Sequence, residues 1–458
     1  MSGATANLPG RPVLRRPSND VIAGCAMGMV ALFVGLINVS RSLNYDEAVT
    51  YSSFINGGSP RRALTTQVVF NNHPMFSFIE SILWRFGFVG ETAQRLLPVT
   101  CGAVTVGLIT WYTSRRAAIM SGVVAGTVLL LNPMYFELYR SLRGYSLATL
   151  GVVVAGLALQ RSWTDPRMRW LVIQGSAMIV AVNTHAYSAV FILTLASATL
   201  AMNHLRVRHL VTWSIAAVIS IIIALPIIDD ARANTSARGT RYLPGFGEFT
   251  VRELLGRSTP AVAIVGTLVM VGALSIAKRS GRHALAIGAG ALVPTAALVY
   301  TWQVAQPFDL YSRFFVGLVP FLAVLAGIGA RRLPGRPVSS VALVAVLIVT
   351  LLPNAQILLE RESGLRAAGA VINEARALEQ RVCGSSVEAF LVYSAPVPSA
   401  DFARLDDCDV FVSALGLRGA ALQAVNDHYA AQLVVDSAVS AWGDAATIAL
   451  LEAARSSP

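Results

Sequence analysis

Residues 21–40 read VIAGCAMGMVALFVGLINVS, and residues 41–54 read RSLNYDEAVTYSSF. The first stretch holds no Asp, Glu, Lys or Arg. At about 1.5 Å per residue it is long enough to cross a hydrocarbon core of roughly 30 Å as a helix. The second stretch places two carboxylates, Asp46 and Glu47, just past that crossing. Carboxylates held at a water–lipid boundary suit chemistry on a lipid-borne substrate. An Arg-containing tail, residues 1–20, precedes the apolar run, and no small-residue cleavage site follows it. This pattern predicts a retained first span rather than a removable signal peptide.

The same pattern recurs along the chain. Apolar runs at 96–113, 117–136, 144–160, 170–183, 186–201, 210–228, 260–277, 284–302, 314–330 and 338–359 bring the expectation to about eleven membrane helices. Composition agrees: 55% hydrophobic and 13% charged residues, with a mean hydropathy of +0.60, lie outside the range of an ordinary soluble chain. With the N-terminus on the cytoplasmic side, Arg115 and Arg116, then Arg161, Arg167 and Arg169, then Arg206 and Arg208 all fall in cytoplasmic loops. So do Lys278, Arg279 and Arg282, and Arg331, Arg332 and Arg336. Only Asp20 and Asp165 oppose them, as the positive-inside rule requires. Topology therefore accounts for most of the net charge of +11, and nucleic acid is not an expected partner. An odd number of spans places the first loop and the C-terminus outside.

The chain divides accordingly into a cytoplasmic tail at 1–20, a transmembrane region at 21–359 whose first outside loop spans 41–95, and a soluble extracytoplasmic region at 360–458. In the last, residues 364–380 have helical spacing, 387–393 and 408–412 read as strands, and 420–429 as a helix, so a small α/β domain is expected. The acids of RLDDCDV, residues 404–410, read as a solvated turn rather than a cation site. Cys25 and Cys101 fall in spans as inert apolar residues. Cys383 and Cys408 share the outside region, where a disulfide and two free thiols are both open. Asn234-Thr-Ser matches a glycosylation acceptor. The chain's lone lysine, Lys278, among many arginines fits a GC-rich bacterial genome, in which that tripeptide carries little weight.

The first loop is the longest connection between spans, and Met75 to Phe88 reads as an amphipathic helix lying along the interface. Tyr135, Tyr139 and Tyr145 read as an aromatic belt. Arg140 and Arg143 lie on the side that the positive-inside rule depletes, which favours a functional role for them. Asp46 also has a plainer reading, as the cap of a helix starting at Glu47.

Several segments carry a resemblance. NYDEAVTY follows the first span, NNHPMFSFIESILWRFGFVGETAQRLLPVTCG leads into the second, and NPMYFELYRSLRGYSL lies between the third and fourth. NTHAYSAVF follows the fifth, and YSRFFVGLVPFLAVLAG stands at the tenth. Over residues 20–335 their order resembles the GT-C glycosyltransferases of the protein-mannosyltransferase and lipid A aminoarabinose-transferase type. The resemblance implies an α-helical polytopic membrane protein that transfers a sugar from a polyprenyl-phosphate donor to a glycan, lipid or protein acceptor on the outer face of the cell membrane. It implies Asp46 as general base, with Glu47 beside it. His73, Glu137, Arg140, Arg143, His185, Arg241 and Arg313 are the expected donor-phosphate or substrate contacts. His73 departs from the family pattern by lacking the usual second proline, and Glu137 stands where Asp is more usual. A divalent cation near Asp46 and Glu47 is a candidate cofactor, although two carboxylates alone do not define a site. The competing reading is a lipid or sugar transporter or flippase. Such proteins carry ionisable residues at the bilayer midplane and internal repeats, and neither is visible here.

Overall fold

The computed structural model describes residues 18–66, 72–236, 246–300, 312–332, 337–360 and 365–385, with short pieces at 392, 410–413, 438–439, 445–446 and 451–452. It is a helical, multi-pass membrane protein in which every expected apolar run falls on a helix. Helices α1 (Asn19–Leu36), α5 (Glu91–Arg116), α11 (Val207–Ser236) and α13 (Thr259–Ala277) each hold a stretch long and apolar enough to cross a membrane. So does the continuous segment Arg313–Ala330, a 3-10 turn followed by α15 (Val319–Ala330). The other runs lie on α8 (Tyr145–Thr164), α9 (Met168–Thr184), α10 (Ser188–Ala201), α14 (Gly281–Tyr300) and α16 (Pro337–Glu360).

The run expected at 117–136 is broken. It forms α6 (Ile119–Leu131) and α7 (Pro133–Tyr139), bent by 69°. The cause is local: Pro133 has no N–H to continue α6, and the Asn132 side chain accepts a hydrogen bond from Tyr135 N at 2.9 Å, capping the new helix. Asn132 Nδ2 donates to the carbonyls of Glu253 (3.1 Å) and Leu254 (2.9 Å), which end α12 (Phe246–Leu255). The bend swings the segment from Glu137 to Arg143 across the end of the bundle.

Tyr135 and Tyr139 do not form an interfacial belt. Both are fully buried, and their hydroxyls donate to Gly102 O (2.9 Å) and Ala31 O (3.2 Å), so they tie α7 to α5 and α1. A buried phenol needs such a partner. Elsewhere, α13 and α15 approach through facing glycines. A Cβ on Gly272 would lie 2.0 Å from Leu325 O, and one on Gly329 would lie 2.0 Å from Leu268 O. Small residues allow close backbone contact where the surrounding lipid gives helices no hydrophobic reason to associate. Gly329→Val is therefore expected to force the two helices apart. The variant should lower the detergent melting temperature well below that of an exposed-face control such as Leu292→Val.

The first loop is more helical than its sequence announces. Besides α4 (Pro74–Arg85), which matches the expected amphipathic segment, it contains α2 (Tyr45–Thr50), extended by a π turn at Tyr51–Ile55, and α3 (Pro60–Thr65). Asn44, not Asp46, caps α2. Its side chain accepts from Glu47 N at 2.9 Å, and Glu47 returns the bond to Asn44 N at 3.0 Å. Past the bundle, α17 (Leu365–Ala377) matches the expected helix at 364–380, and β1 (Val382–Ser385) pairs in parallel with β2 (Val410–Ser413). Strand β1 was not expected. The helix expected at 420–429 and most of the strand expected at 387–393 lie outside the described residues. Ile372 and Ala375 of α17 share a buried apolar cluster with Leu43, Ala48 and Phe76 of the first loop. Arg366 adds a bond to Ser40 O at 2.6 Å and an ion pair with Glu91. Cys25 and Cys101 are free and Cys383 is disulfide-bonded, while Cys408 lies outside the described residues.

Candidate active site

The two adjacent carboxylates, one residue apart on α2, take different surroundings. Glu47 is fully buried. Arg95, from α5, donates to it through Nε (3.1 Å) and Nη2 (2.8 Å), and the Leu142 amide donates at 2.6 Å. The remaining Arg95 donors reach Val39 O (2.9 Å), Arg41 O and Ser42 O (3.3 Å). Arg95 is thus saturated in the fork geometry that a guanidinium presents to a carboxylate. Burial by itself would raise the Glu47 pKa, but Arg95 and Arg41 outweigh it and hold the carboxyl down at about 2. Glu47 locks the first loop to the start of the bundle.

Asp46 points the other way. Its Oδ2 is paired with Arg143 Nη1 and lies 3.2 Å from Arg313 Nη1, and its side chain remains 22% exposed. That exposure leaves it within reach of a ligand. Burial pushes its pKa up, yet the two guanidiniums prevail and keep the carboxyl below its ordinary value. Arg143 stands in the segment that the bent α6–α7 pair redirects, and Arg313 begins the 3-10 turn before α15. Residues 267 positions apart in sequence thus meet at one oxygen.

His73 closes the third side. Its Nδ1 lies 3.1 Å from Thr184 O, and its Nε2 lies 3.1 Å from Arg143 Nε and 3.0 Å from Arg143 Nη2. A carbonyl only accepts and a guanidinium only donates, so Nδ1 carries the proton and Nε2 is bare. Burial, then Arg143, lowers the His73 pKa well below its ordinary value, and the same causes take His185 to about 3. Both imidazoles are neutral. His73 orients the Arg143 guanidinium toward Asp46 rather than presenting a charge of its own.

Of the residues expected from the sequence, Asp46, His73, Arg143, His185 and Arg313 come together. Two others do not. Arg140 turns back, donating through Nη2 to Ile37 O with its guanidinium 5.1 Å from the Phe136 ring centroid. Glu137 is held 3.7 Å from Arg257, which also binds Glu253 at 2.7 Å. Arg241 lies outside the described residues. The divalent cation does not fit the carboxylates as placed, since Asp46 and Glu47 face different arginines. Among the described residues, no group of three or more His, Cys, Asp and Glu side chains gathers to hold a metal. Sequence reading missed Arg95, Tyr187 and Phe314. Arg95 had a signal, an arginine beside an apolar run on the depleted side, whereas the two rings had none.

Glu80, on α4, is fully buried, and neither carboxyl oxygen has a hydrogen-bond partner among the described residues. Burial pushes its pKa well above the ordinary value of 4.5. An acid whose folded pKa is raised gives its full stability below 4.5 and loses it as pH rises through the folded value. Glu80→Gln cannot ionise. It is expected to raise the melting temperature at pH 8 by about 2 °C or more and to leave it unchanged near pH 4. A loss of stability at pH 8 would show that Glu80 is a bound anion.

This fold and this site define a polytopic helical membrane protein with an acid and two arginines joined at the end of the bundle. The solved structures agree. ArnT from Cupriavidus metallidurans in the apo state matches with a TM-score of 0.58 at 17% identity over 94% of this chain and 97% of that one. ArnT bound to undecaprenyl phosphate matches at 0.56, with 16% identity over 96% and 99%. The Archaeoglobus fulgidus oligosaccharyltransferase complex with Zn and sulfate matches at 0.53, with 12% identity over 86% and 68%. No family model and no curated protein matches the sequence.

Proposed function

We propose that this protein is a membrane glycosyltransferase that moves a sugar from a polyprenyl-phosphate donor to an acceptor hydroxyl or similar nucleophile. The observation that carries the reading is the Asp46 carboxylate clamped between Arg143 and Arg313, in a fold it shares with an enzyme solved with undecaprenyl phosphate bound. In the resting site Asp46 is a weak base, because both arginines stabilise its ionised form. An incoming lipid phosphate offers the guanidiniums a second anion. As they turn to it, Asp46 loses its cationic partners and becomes more basic while the donor is in place.

The chemistry follows from that exchange. Asp46 takes the acceptor proton as the acceptor oxygen bonds to the anomeric carbon, and the bond from that carbon to the phosphate oxygen breaks. The electron pair leaves with the phosphate, whose growing charge Arg143 and Arg313 stabilise. Glu47 acts here as a positioning residue through Arg95 and the Asn44 cap. Arg140 and Glu137 stand behind the site, holding the α7 segment. The reaction is assigned to the outer face of the plasma membrane, with the N-terminus cytoplasmic and residues 360–458 extracytoplasmic, their helix α17 packed against the first loop. The arginine pattern of the cytoplasmic loops supports that orientation.

Reconstituted protein, supplied with undecaprenyl-phosphate sugars and membrane-extract acceptors, should release undecaprenyl phosphate in step with glycosylated product. Absence of both turnover and lipid-phosphate binding, across neutral and amino sugars, would overturn the reading.

A further inference from the structure

The chain between α1 and α2 is neither helix nor strand, so its carbonyls need partners from elsewhere. Two arginines supply them. Arg95 donates to Val39 O (2.9 Å), Arg41 O and Ser42 O (3.3 Å), and Arg366 of α17 donates through Nη2 to Ser40 O at 2.6 Å. The Arg366 amide also donates to Ser42 Oγ at 3.2 Å. A guanidinium nitrogen carries two hydrogens, and the same Arg366 Nη2 pairs with Glu91, which stands about one turn before Arg95 on α5. The backbone of residues 39–42 is thus gripped both from α5 and from a helix that lies past the bundle.

We infer that α17 is a working part of the active site and that Arg366 is a positioning residue for Asp46. This rests on the glycosyltransferase reading above. Residues 39–42 lead directly into the Asn44 cap, so they set where α2 sits. Apolar packing repeats the arrangement: Leu43 and Ala48, on either side of Asp46 in the chain, share a buried cluster with Ile372 and Ala375 of α17. Arg143 and Arg313 come to Asp46 from other elements. The alignment of the carboxylate with them, and with an acceptor oxygen, therefore depends on what holds the first loop. Displacing a reacting group by about 1 Å can cost on the order of 10²-fold in rate.

Arg366 is poorly placed to act as an anchor of the fold. Its side chain is 51% exposed, and an ion pair in that setting adds little to folding. The buried Glu47–Arg95 pair is the anchor of the first loop. What Arg366 adds is a second hold on the same backbone, at the Ser40 carbonyl between two that Arg95 takes. Its loss should therefore loosen the approach to α2 without unfolding the chain.

The test uses the full chain in nanodiscs, with the undecaprenyl-phosphate sugars and membrane-extract acceptors named above and undecaprenyl phosphate alone as the binding probe. Arg366→Ala should lower kcat about tenfold. Its melting temperature should stay within about 2 °C of the wild type, and its affinity for undecaprenyl phosphate within about twofold. Hydrogen exchange should quicken at residues 39–50, the local sign of a loosened loop. Arg366→Lys keeps a charge and three donors and should restore most of the turnover. Glu91→Ala leaves Arg366 in place but removes the anion that steers it, and should show the same split between turnover and binding at smaller size. Wild-type turnover in both alanine variants, or turnover that falls only in step with melting temperature or lipid affinity, would overturn the inference. In either case turnover by the wild type leaves the glycosyltransferase reading standing. A wild type that neither turns over nor binds undecaprenyl phosphate overturns both.

Discussion

Asp46→Asn is expected to lower the turnover number for sugar transfer by on the order of 10²–10⁴, the range of a positioned general base. The substitution keeps the side chain's size and leaves the Asn44 cap and the Glu47–Arg95 lock in place, so insertion and melting temperature should stay close to the wild type. What changes at Arg143 and Arg313 is the competition. Without the Asp46 carboxylate they turn to the donor more readily, and undecaprenyl phosphate should bind as tightly as before or more so. Falling turnover with undiminished lipid affinity is the signature of a lost base, and a purely structural aspartate would not produce it. Single-turnover kinetics beside equilibrium binding measures both. A variant that transfers sugar at the wild-type rate would remove Asp46 from the mechanism. Asp46→Glu adds one methylene, keeps the charge and is expected to fall between the two.

Glu47→Ala should be the most destabilising single change in the first loop, by about 3–5 kcal/mol, because it leaves the buried Arg95 guanidinium without its anion. The expected readout is a chain that inserts but melts early, with activity lost in proportion to folded protein. The pH dependence gives an independent check. The Glu47 carboxyl drops from an ordinary 4.5 to about 2 on folding. A depressed acid contributes stability that is complete above 4.5 and lost as pH falls toward about 2. The lost part is on the order of 3 kcal/mol for a group this buried. The wild type should therefore lose stability over that window, and Glu47→Ala should show a flatter acid limb. Replacing both partners, Glu47→Leu with Arg95→Met, removes the buried charge altogether and should recover much of the loss. Failure of the double variant to recover would mean that the lock's hydrogen bonds to Val39, Arg41 and Ser42 matter more than its charge.

These two neighbouring carboxylates show where sequence reading stops. Asp46 and Glu47 share a helix turn and a place just beyond the first span, so nothing local separates them. The difference comes from what meets each one: Arg95 and the Leu142 amide on one side, Arg143 and Arg313 on the other. Those partners lie 48 to 267 residues away in the chain. The break between α6 and α7 was nearer to legible, since Asn-Pro is a turn signal. Its apolar flanks hid it inside one continuous run. Tyr145 looked like a belt residue, because an aromatic ring at a span end suits an interface. In the fold it is buried, edge-on to His73 at 4.9 Å.

By itself the sequence determined that this is a polytopic helical membrane protein, where its long apolar runs fall, and that its first loop carries acids and a histidine. Those facts follow from hydropathy and helical rise, which act along the chain at short range. The tertiary structure alone decided which acid stays partly exposed, which arginines reach it, and that a row of rings stands beside it. Such contacts depend on how helices far apart in sequence pack, and no local pattern of residues encodes them.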